Sequence, residues 1–401
     1  MTAWLSIVGI GEEGLSTLKP EARTAIDSAT MLVGGERHLA LVPDDGRERK
    51  TWASPLMDLV HEIIARRGEK ICILATGDPQ HFGIGVTFTK RLPIDELAIY
   101  PSVSAFSLAA SRLGWDLSHI DCLTLHGRPL ELLIPNLTNR AKILALSDSG
   151  NTPYEVAKLL STHGYGRSEM TILEHMGGLD EKITTVDAFH LGDIQFRDFN
   201  TIALNCKSDS GTQLLSREPG LPDTAFVHDG QLTKQEIRSV TLAALVPLPG
   251  QLLWDVGAGS GSIGIEWMRC HGSNQAIAVE NHKERLGYIR ENKLKLGVPG
   301  LTIVSEKAPA SLQHIPAPDA IFIGGGLSVE GLFETCWTAL KPGGRLVANA
   351  VTIEGEGILF DQHDLYGGSL TRINISRAEK IGKFNSWKPF RQVTQYRLIK
   401  Q

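Results

Sequence analysis

The stretch "GAGSGSIG", residues 257–264, spaces Gly259, Gly261 and Gly264 so that a chain turn without bulky side chains runs into a helix. Such a turn lets a ligand lie against the backbone, and the helix start offers N–H groups that have no partner inside the helix. Glu280 follows 21 residues after Gly259 and can accept hydrogen bonds from the hydroxyls of a ribose. The chemistry on offer is the holding of a nucleoside-bearing cosubstrate. Two more glycine turns stand earlier in the chain, "VGIGEEG" at 8–14 and "LATGDPQHFGIG" at 74–85, the second marked by Asp78 and Pro79.

Each turn needs a strand before it and a helix after it, and the sequence supplies both. Short apolar runs alternate with helix-like segments from end to end, which predicts an α/β architecture with largely parallel sheets. Strands are expected at Leu5–Ile10, Ile71–Ala75, Leu97–Tyr100, Ile143–Ser147, Met170–Glu174 and Thr201–Asn205, then at Gln251–Val256 and Gln275–Glu280. Among the helices, "NTPYEVAKLL" reads as capped by Thr152, with Pro153 first and Glu155 three residues after the cap. "TKQEIRSVTLAAL" opens on a capping box, Thr233 and Glu236, and puts Lys234 and Arg238 on one face.

At 401 residues the chain exceeds one ordinary core, so two domains are expected. The polar, Gly- and Pro-containing stretch beginning "KSDSGTQ" divides them: a first domain over 1–206, a linker over 207–222 and a second domain over 223–401. Apolar residues at 42%, charged residues at 21% and a net charge of −5 argue against disorder and against a nucleic-acid partner. No apolar run is long enough for a membrane span, and "MTAWLSIVGIGEEG" reads as lacking a basic leader, so a cytoplasmic protein is expected. The five cysteines lie far apart and read as buried hydrophobes in a reducing compartment. The 13 histidines show no ligand spacing, so no protein-bound metal is expected.

The loop alone admits either a dinucleotide or S-adenosyl-L-methionine, since both carry a ribose. Three neighbouring features separate them. "DVGAGSG", with Asp255 before the turn, resembles motif I of the class I S-adenosylmethionine-dependent methyltransferases. "DAIFIGGG" at 319–326 ends a strand in an open glycine loop, and "ALKPGGRLVANAVT" at 339–352 is similar to the late motif of the same enzymes. In the first half, the order "TGDP", "YPSVSAFSLAASRLGW", "LTLHGRP", "LEHMGGLDE" resembles the tetrapyrrole methylase family, the class III methyltransferases that alkylate corrinoid and siroheme precursors. Glu12 and Glu13 stand where that family's first loop more often has Pro and Gly.

The two resemblances together imply a tetrapyrrole methylase domain of two α/β subdomains fused to a Rossmann-like class I domain. They imply a methyl-donor site in each: Gly77, Asp78, Pro79, Ser102 and Ser104 in the first, and Thr233, Gly257, Ala258, Gly259, Ser260, Gly261, Glu280 and Ala308 in the second. The substrate implied is a precorrin, methylated at bridging carbons 5 and 15 with loss of carbon dioxide from an acetate side chain. Its carboxylates would meet Lys234 and Arg238 in the second domain and His126 and Arg128 in the first. No activated nucleophile is needed, because a reduced tetrapyrrole is electron-rich at its bridging carbons. No catalytic acid can be named from the sequence, and an oligomer is expected by analogy. An NAD(P)-dependent oxidoreductase and a non-enzymatic S-adenosylmethionine sensor are the competing readings.

Overall fold

The computed structural model describes residues 3–401. The chain forms two compact units: one contains the chain up to Arg128 together with Asn139–Thr212, the other Pro129–Thr138 and Gln213–Gln401. Pro129–Thr138, expected within the first domain, therefore belongs to the second unit. The reason lies in its packing. Gly297 abuts Pro135 and Ile134 so closely that a Cβ there would stand 2.4 Å from the proline ring, and Arg217 Nε donates to the Pro135 carbonyl at 3.3 Å.

In the first unit β1 (Leu5–Ile10), β2 (Met31–Gly34), β3 (Glu48–Thr51), β4 (Ile71–Thr76) and β5 (Leu97–Tyr100) form one sheet. It is parallel throughout, in the order β3-β2-β4-β1-β5. Its central strands carry apolar side chains on both faces, as a parallel sheet covered by helices requires. Leu5, Ile7, Val8 and Ile73 are fully buried, each contributing roughly 1.5–3 kcal/mol of transfer free energy.

A second sheet of this unit holds β6 (Asp121–Thr124), β7 (Lys142–Leu146), β8 (Glu169–Glu174), β9 (Lys182–Asp187) and β10 (Asn200–Asn205), in the order β6-β7-β10-β8-β9. Here the expectation of largely parallel pairing fails. Only β6 and β7 run parallel; β10 is antiparallel to β7 and β8, and β9 to β8. An apolar run of five or six residues fits either direction. β9, "KITTVD", is an edge strand with a mostly exposed, polar face, so its sequence gave no apolar run to read.

The second unit is built on a seven-stranded sheet of β11 (Leu252–Val256), β12 (Gln275–Val279), β13 (Thr302–Val304), β14 (Ala320–Ile323), β15 (Arg345–Ala350), β16 (Ser369–Ile373) and β19 (Val393–Ile399). The order is β13-β12-β11-β14-β15-β19-β16, parallel through β15, with β19 antiparallel to both neighbours. β17 (Ser376–Ile381) and β18 (Phe384–Pro389) form a separate hairpin. Strand order reverses between β11 and β14, the place where an open α/β sheet forms a ligand crevice.

Two expected helix caps are replaced by other contacts. Thr152 is the first residue of its helix, behind Asn151, and its hydroxyl accepts from the N–H groups of Asp148 at 3.2 Å and Ser149 at 3.0 Å. The helix Gln235–Leu245 begins one residue later than expected, behind Lys234, whose side chain offers no acceptor for a cap, and Glu236 pairs with Arg377. Among the described residues no helix is long and apolar enough to cross a membrane, and no group of three His, Cys, Asp or Glu could hold a metal ion.

Candidate functional sites

β11 delivers the second unit's glycine turn to the reversal point. Gly257 and Ala258 donate to the Val279 carbonyl at 2.9 and 3.2 Å, which keeps the turn against β12. Gly257 has φ +71°, and a Cβ there would stand 2.7 Å from the backbone nitrogen of Gly325. Only glycine allows the turns after β11 and β14 to touch backbone to backbone. The helix Ser262–Cys270 starts behind Gly261, and the Gly264 N–H donates to Asp255 Oδ2 at 2.9 Å.

Glu280 lies directly after β12 and points its carboxylate at the turn: Oε2 accepts from Gly259 at 2.9 Å, and Oε1 from Asn281 and His282 at 2.9 Å each. Three backbone donors hold this carboxylate, one of them, Gly259, in the turn itself. Two buried acceptors of the turn, Asp255 Oδ1 and Ser260 Oγ, have no protein partner. Buried polar atoms are normally satisfied, so these call for a polar ligand or water. Burial pushes the Asp255 carboxyl up to about 7 against the N–H of Gly264, and the charge of Glu280 adds to the rise.

Asn292, which the sequence did not single out, ties the turn down. Its Nδ2 donates to the carbonyls of Ser260 at 3.0 Å and Val227 at 2.9 Å, and its Oδ1 accepts from Val227 at 2.7 Å. The segment before the helix Gln235–Leu245 thereby passes the turn, with the Gln231 carbonyl 3.8 Å from where a Gly259 Cβ would lie. Thr233 and Lys234 follow it and are half-buried. Ala308 packs half-buried against the core on the other side of the sheet.

Arg238 departs from its expected place. It is fully buried, donating to Glu266, Asp223 and the carbonyls of Leu221 and Thr233, with its guanidinium carbon 4.8 Å from the centre of the Phe226 ring. Spacing puts it on the face of Lys234, yet the helix turns that residue into the core, where Glu266 neutralises it. No open basic face forms from the pair.

In the first unit, the turns after β1, β4 and β5 converge at the carboxyl ends of the parallel sheet. A Cβ at Gly9 would overlap the Gly77 carbonyl at 1.8 Å, and that carbonyl accepts from Ser102 at 3.1 Å. Asp78 accepts from the Gln80 N–H at 2.8 Å, Pro79 is covered by Gly83 and Gly85, and Ser104 caps the helix Ala105–Leu113 through Ser107. A cleft of about 670 Å³ opens here, the size of a small-molecule site. Gly77, Asp78, Ser104, His126 and Arg128 line it; Ser102 and Pro79 are not part of the lining.

The same cleft exposes a group the sequence did not mark as a site. Glu12 Oε2 lies 2.9 Å from His175 Nδ1, and Arg37 pairs with the other carboxylate oxygen. His175 has φ +47°, a conformation that costs a non-glycine residue on the order of 1 kcal/mol or more. The "EE" that departs from the commoner first loop was the available clue.

Comparison with known proteins matches a family to each half of the chain. The model of the Tetrapyrrole (Corrin/Porphyrin) Methylases matches residues 5–191, and that of the Precorrin methyltransferase domain matches residues 224–400. The fold and its two matched parts define a two-domain methyltransferase.

Over 399 residues the chain is 47% identical to the precorrin-6Y C(5,15)-methyltransferase [decarboxylating] of a Sinorhizobium species, covering 99% of this chain and 96% of that protein. It is 36% identical to the protein of the same name from Mycobacterium tuberculosis, covering 98% and 99%. A solved carboxyl-terminal domain of precorrin-6Y C5,15-methyltransferase from Rhodobacter capsulatus is 43% identical, with 46% of this chain and all of that one covered at a TM-score of 0.44. The chain belongs to the family of decarboxylating precorrin-6Y C(5,15)-methyltransferases.

Proposed function

We propose that this chain methylates a precorrin at bridging carbons 5 and 15 and removes carbon dioxide from an acetate side chain, giving precorrin-8 in cobalamin biosynthesis. S-adenosyl-L-methionine is the donor, bound once in each domain: the tetrapyrrole methylase domain over 1–206, of which Pro129–Thr138 packs with the second unit, and, beyond a linker at 207–222, the class I domain over 223–401. The observation that carries the reading is that two separate units each end parallel strands in glycine turns of different build. Membership of the family supports the substrate.

The donor supplies an electrophilic methyl group. In the second domain the turn 257–261 would receive it, Glu280 would face the ribose, and Thr233 and Ala308 would flank it. The unpartnered Asp255 Oδ1 and Ser260 Oγ fit a polar ligand there. In the first domain Gly77, Asp78 and Ser104 would border it, with Pro79 and Ser102 shaping the turn. The protein's part in methyl transfer is to bring carbon and methyl into line and keep water away. Lys234, His126 and Arg128 are assigned to the substrate carboxylates. Decarboxylation further needs an acid positioned to protonate carbon.

Self-association and a cytoplasmic location belong to the same reading. Phe384 and Trp387, at 77% and 73% exposure on β18, support the first. Sedimentation equilibrium tests it.

The decisive experiment incubates the purified chain with the precorrin and S-adenosylmethionine, follows the product by mass spectrometry, and titrates S-adenosylhomocysteine calorimetrically. Two added methyl groups, loss of carbon dioxide and two sites per chain are expected. Thermal stabilisation by NAD(P) and none by S-adenosylhomocysteine would replace this reading with an oxidoreductase.

A further inference from the structure

Methylating a ring-bridging carbon that carries hydrogen leaves a proton to dispose of. The π pair of the carbon forms the new bond to the methyl group while the carbon–sulfur pair of the donor returns to sulfur. Hydrogen, methyl and a delocalised positive charge then share the ring system. Loss of the hydrogen as a proton gives its bonding pair back to the π system and completes the step. A base facing the substrate is therefore required.

We propose that His175 is that base in the first unit's cleft, accepting the proton at Nε2, and that Glu12 is the positioning residue that holds its ring. The proposal rests on the reading of this cleft as a methylation site. Both side chains line the cleft and are largely withdrawn from solvent, at 20% and 16% exposure. With Nδ1–H donating to Glu12 Oε2 at 2.9 Å, the ring is fixed as the tautomer whose basic nitrogen is Nε2. The carboxylate also balances the imidazolium formed, the arrangement that makes a carboxylate–imidazole pair an effective base.

The surroundings favour this pair over its neighbours. Glu12 is committed on both oxygens, to His175 and to Arg37, so it is not itself the acceptor. The Arg37 guanidinium lies 4.0 Å from the centre of the Phe199 ring, and the imidazole packs on the same ring at 5.6 Å, so the assembly shares one wall. His126 pairs with Asp148 at 3.1 Å, but those side chains are 75% and 53% exposed and that carboxylate also takes the Gly127 N–H. Asp78 spends Oδ1 on its own turn. The left-handed backbone of His175 is kept at a cost, with its N–H on the Phe199 carbonyl at 3.1 Å and its carbonyl taking the Gly178 N–H at 3.0 Å.

The test uses the full chain. His175→Gly suits the position, because glycine adopts φ +47° freely. Its product should lack one methyl group, with that methylation slowed about 100-fold or more. The other methylation and the decarboxylation should proceed, two S-adenosylhomocysteine sites should remain, and added imidazole should restore part of the rate. His175→Gln should show the same loss without rescue. On the ligand-free protein, ¹⁵N NMR should find His175 as the Nδ1–H tautomer and find that preference lost in Glu12→Ala. Full-rate double methylation by His175→Gly with two sites bound, or an Nε2–H tautomer in the unaltered chain, overturns the proposal. A single S-adenosylhomocysteine site in the unaltered chain overturns the two-site reading and this proposal with it.

Discussion

Arg238 donates through Nε to the carboxylate of Glu266, the two side chains at 0% and 1% exposure inside the second unit. A cation so fully partnered acts as a strut between the helix Gln235–Leu245 and the helix that follows the glycine turn. Arg238→Ala would leave Glu266 with only the N–H groups of Gly220 at 2.6 Å and Leu221 at 3.1 Å. Breaking a buried pair in this way costs about 3–5 kcal/mol. Lys234→Ala, at a half-buried position, should change stability by less than about 0.5 kcal/mol and raise KM. Urea denaturation with steady-state kinetics separates the two, and an Arg238→Ala protein of normal stability but raised KM would return Arg238 to the substrate.

Asp255 should make stability fall as pH rises. Its folded carboxyl is pushed up to about 7, above an unfolded value near 3.9. The folded chain then holds the proton more tightly than the unfolded one. The penalty is absent below about pH 4, grows through about pH 4–7 and is complete above that window, with a ceiling of about 4 kcal/mol. Asp255→Asn escapes it, so its stability relative to the unaltered chain should climb between about pH 4 and 8. A difference that stays flat in denaturant melts across that range would count against the buried carboxyl.

Gly259→Asp is expected to fold and yet lose the second domain's chemistry. The residue has φ +58° and open space, with Gln231 O at 3.8 Å, so the substitution costs about 1–2 kcal/mol of backbone strain. The new carboxylate would stand beside Glu280, which accepts the Gly259 N–H. One methylation and the decarboxylation should disappear, and calorimetry should find one S-adenosylhomocysteine site in place of the two proposed for the unaltered chain. Gly257→Ala should instead lower Tm sharply, because its Cβ meets the Gly325 backbone at 2.7 Å.

Native thiols should be sluggish. Cys72, Cys206 and Cys336 are buried and each pushed up to about 12, and burial also lifts Cys270 to about 11. The thiolate is the reactive form, so a disulfide reagent at pH 8 should titrate few groups in the native protein and all five after unfolding. Rapid native labelling of Cys72 or Cys336 would contradict their burial.

What the sequence determined by itself is what spacing along the chain controls. Asp255, Gly257, Gly259 and Gly264 fall on one strand, turn and helix start, and Glu280 directly follows the next strand, because turn conformation and strand length are local properties. The same holds for Gly77 and for the apolar parallel strands β1, β4 and β11. The tertiary structure alone decided which side chains meet. Glu12 and His175 are 163 residues apart, Arg238 and Glu266 28, and no periodicity records either pairing. It also decided the direction of β10, since an apolar strand satisfies its backbone equally against a parallel or an antiparallel neighbour. Thr233 reads as a cap, but the folded helix starts behind Lys234 and Glu236 pairs with Arg377, 141 residues away. Local chemistry fixes where a turn can open to a ligand; burial, by choosing which charges must neutralise one another, decides what is left facing it.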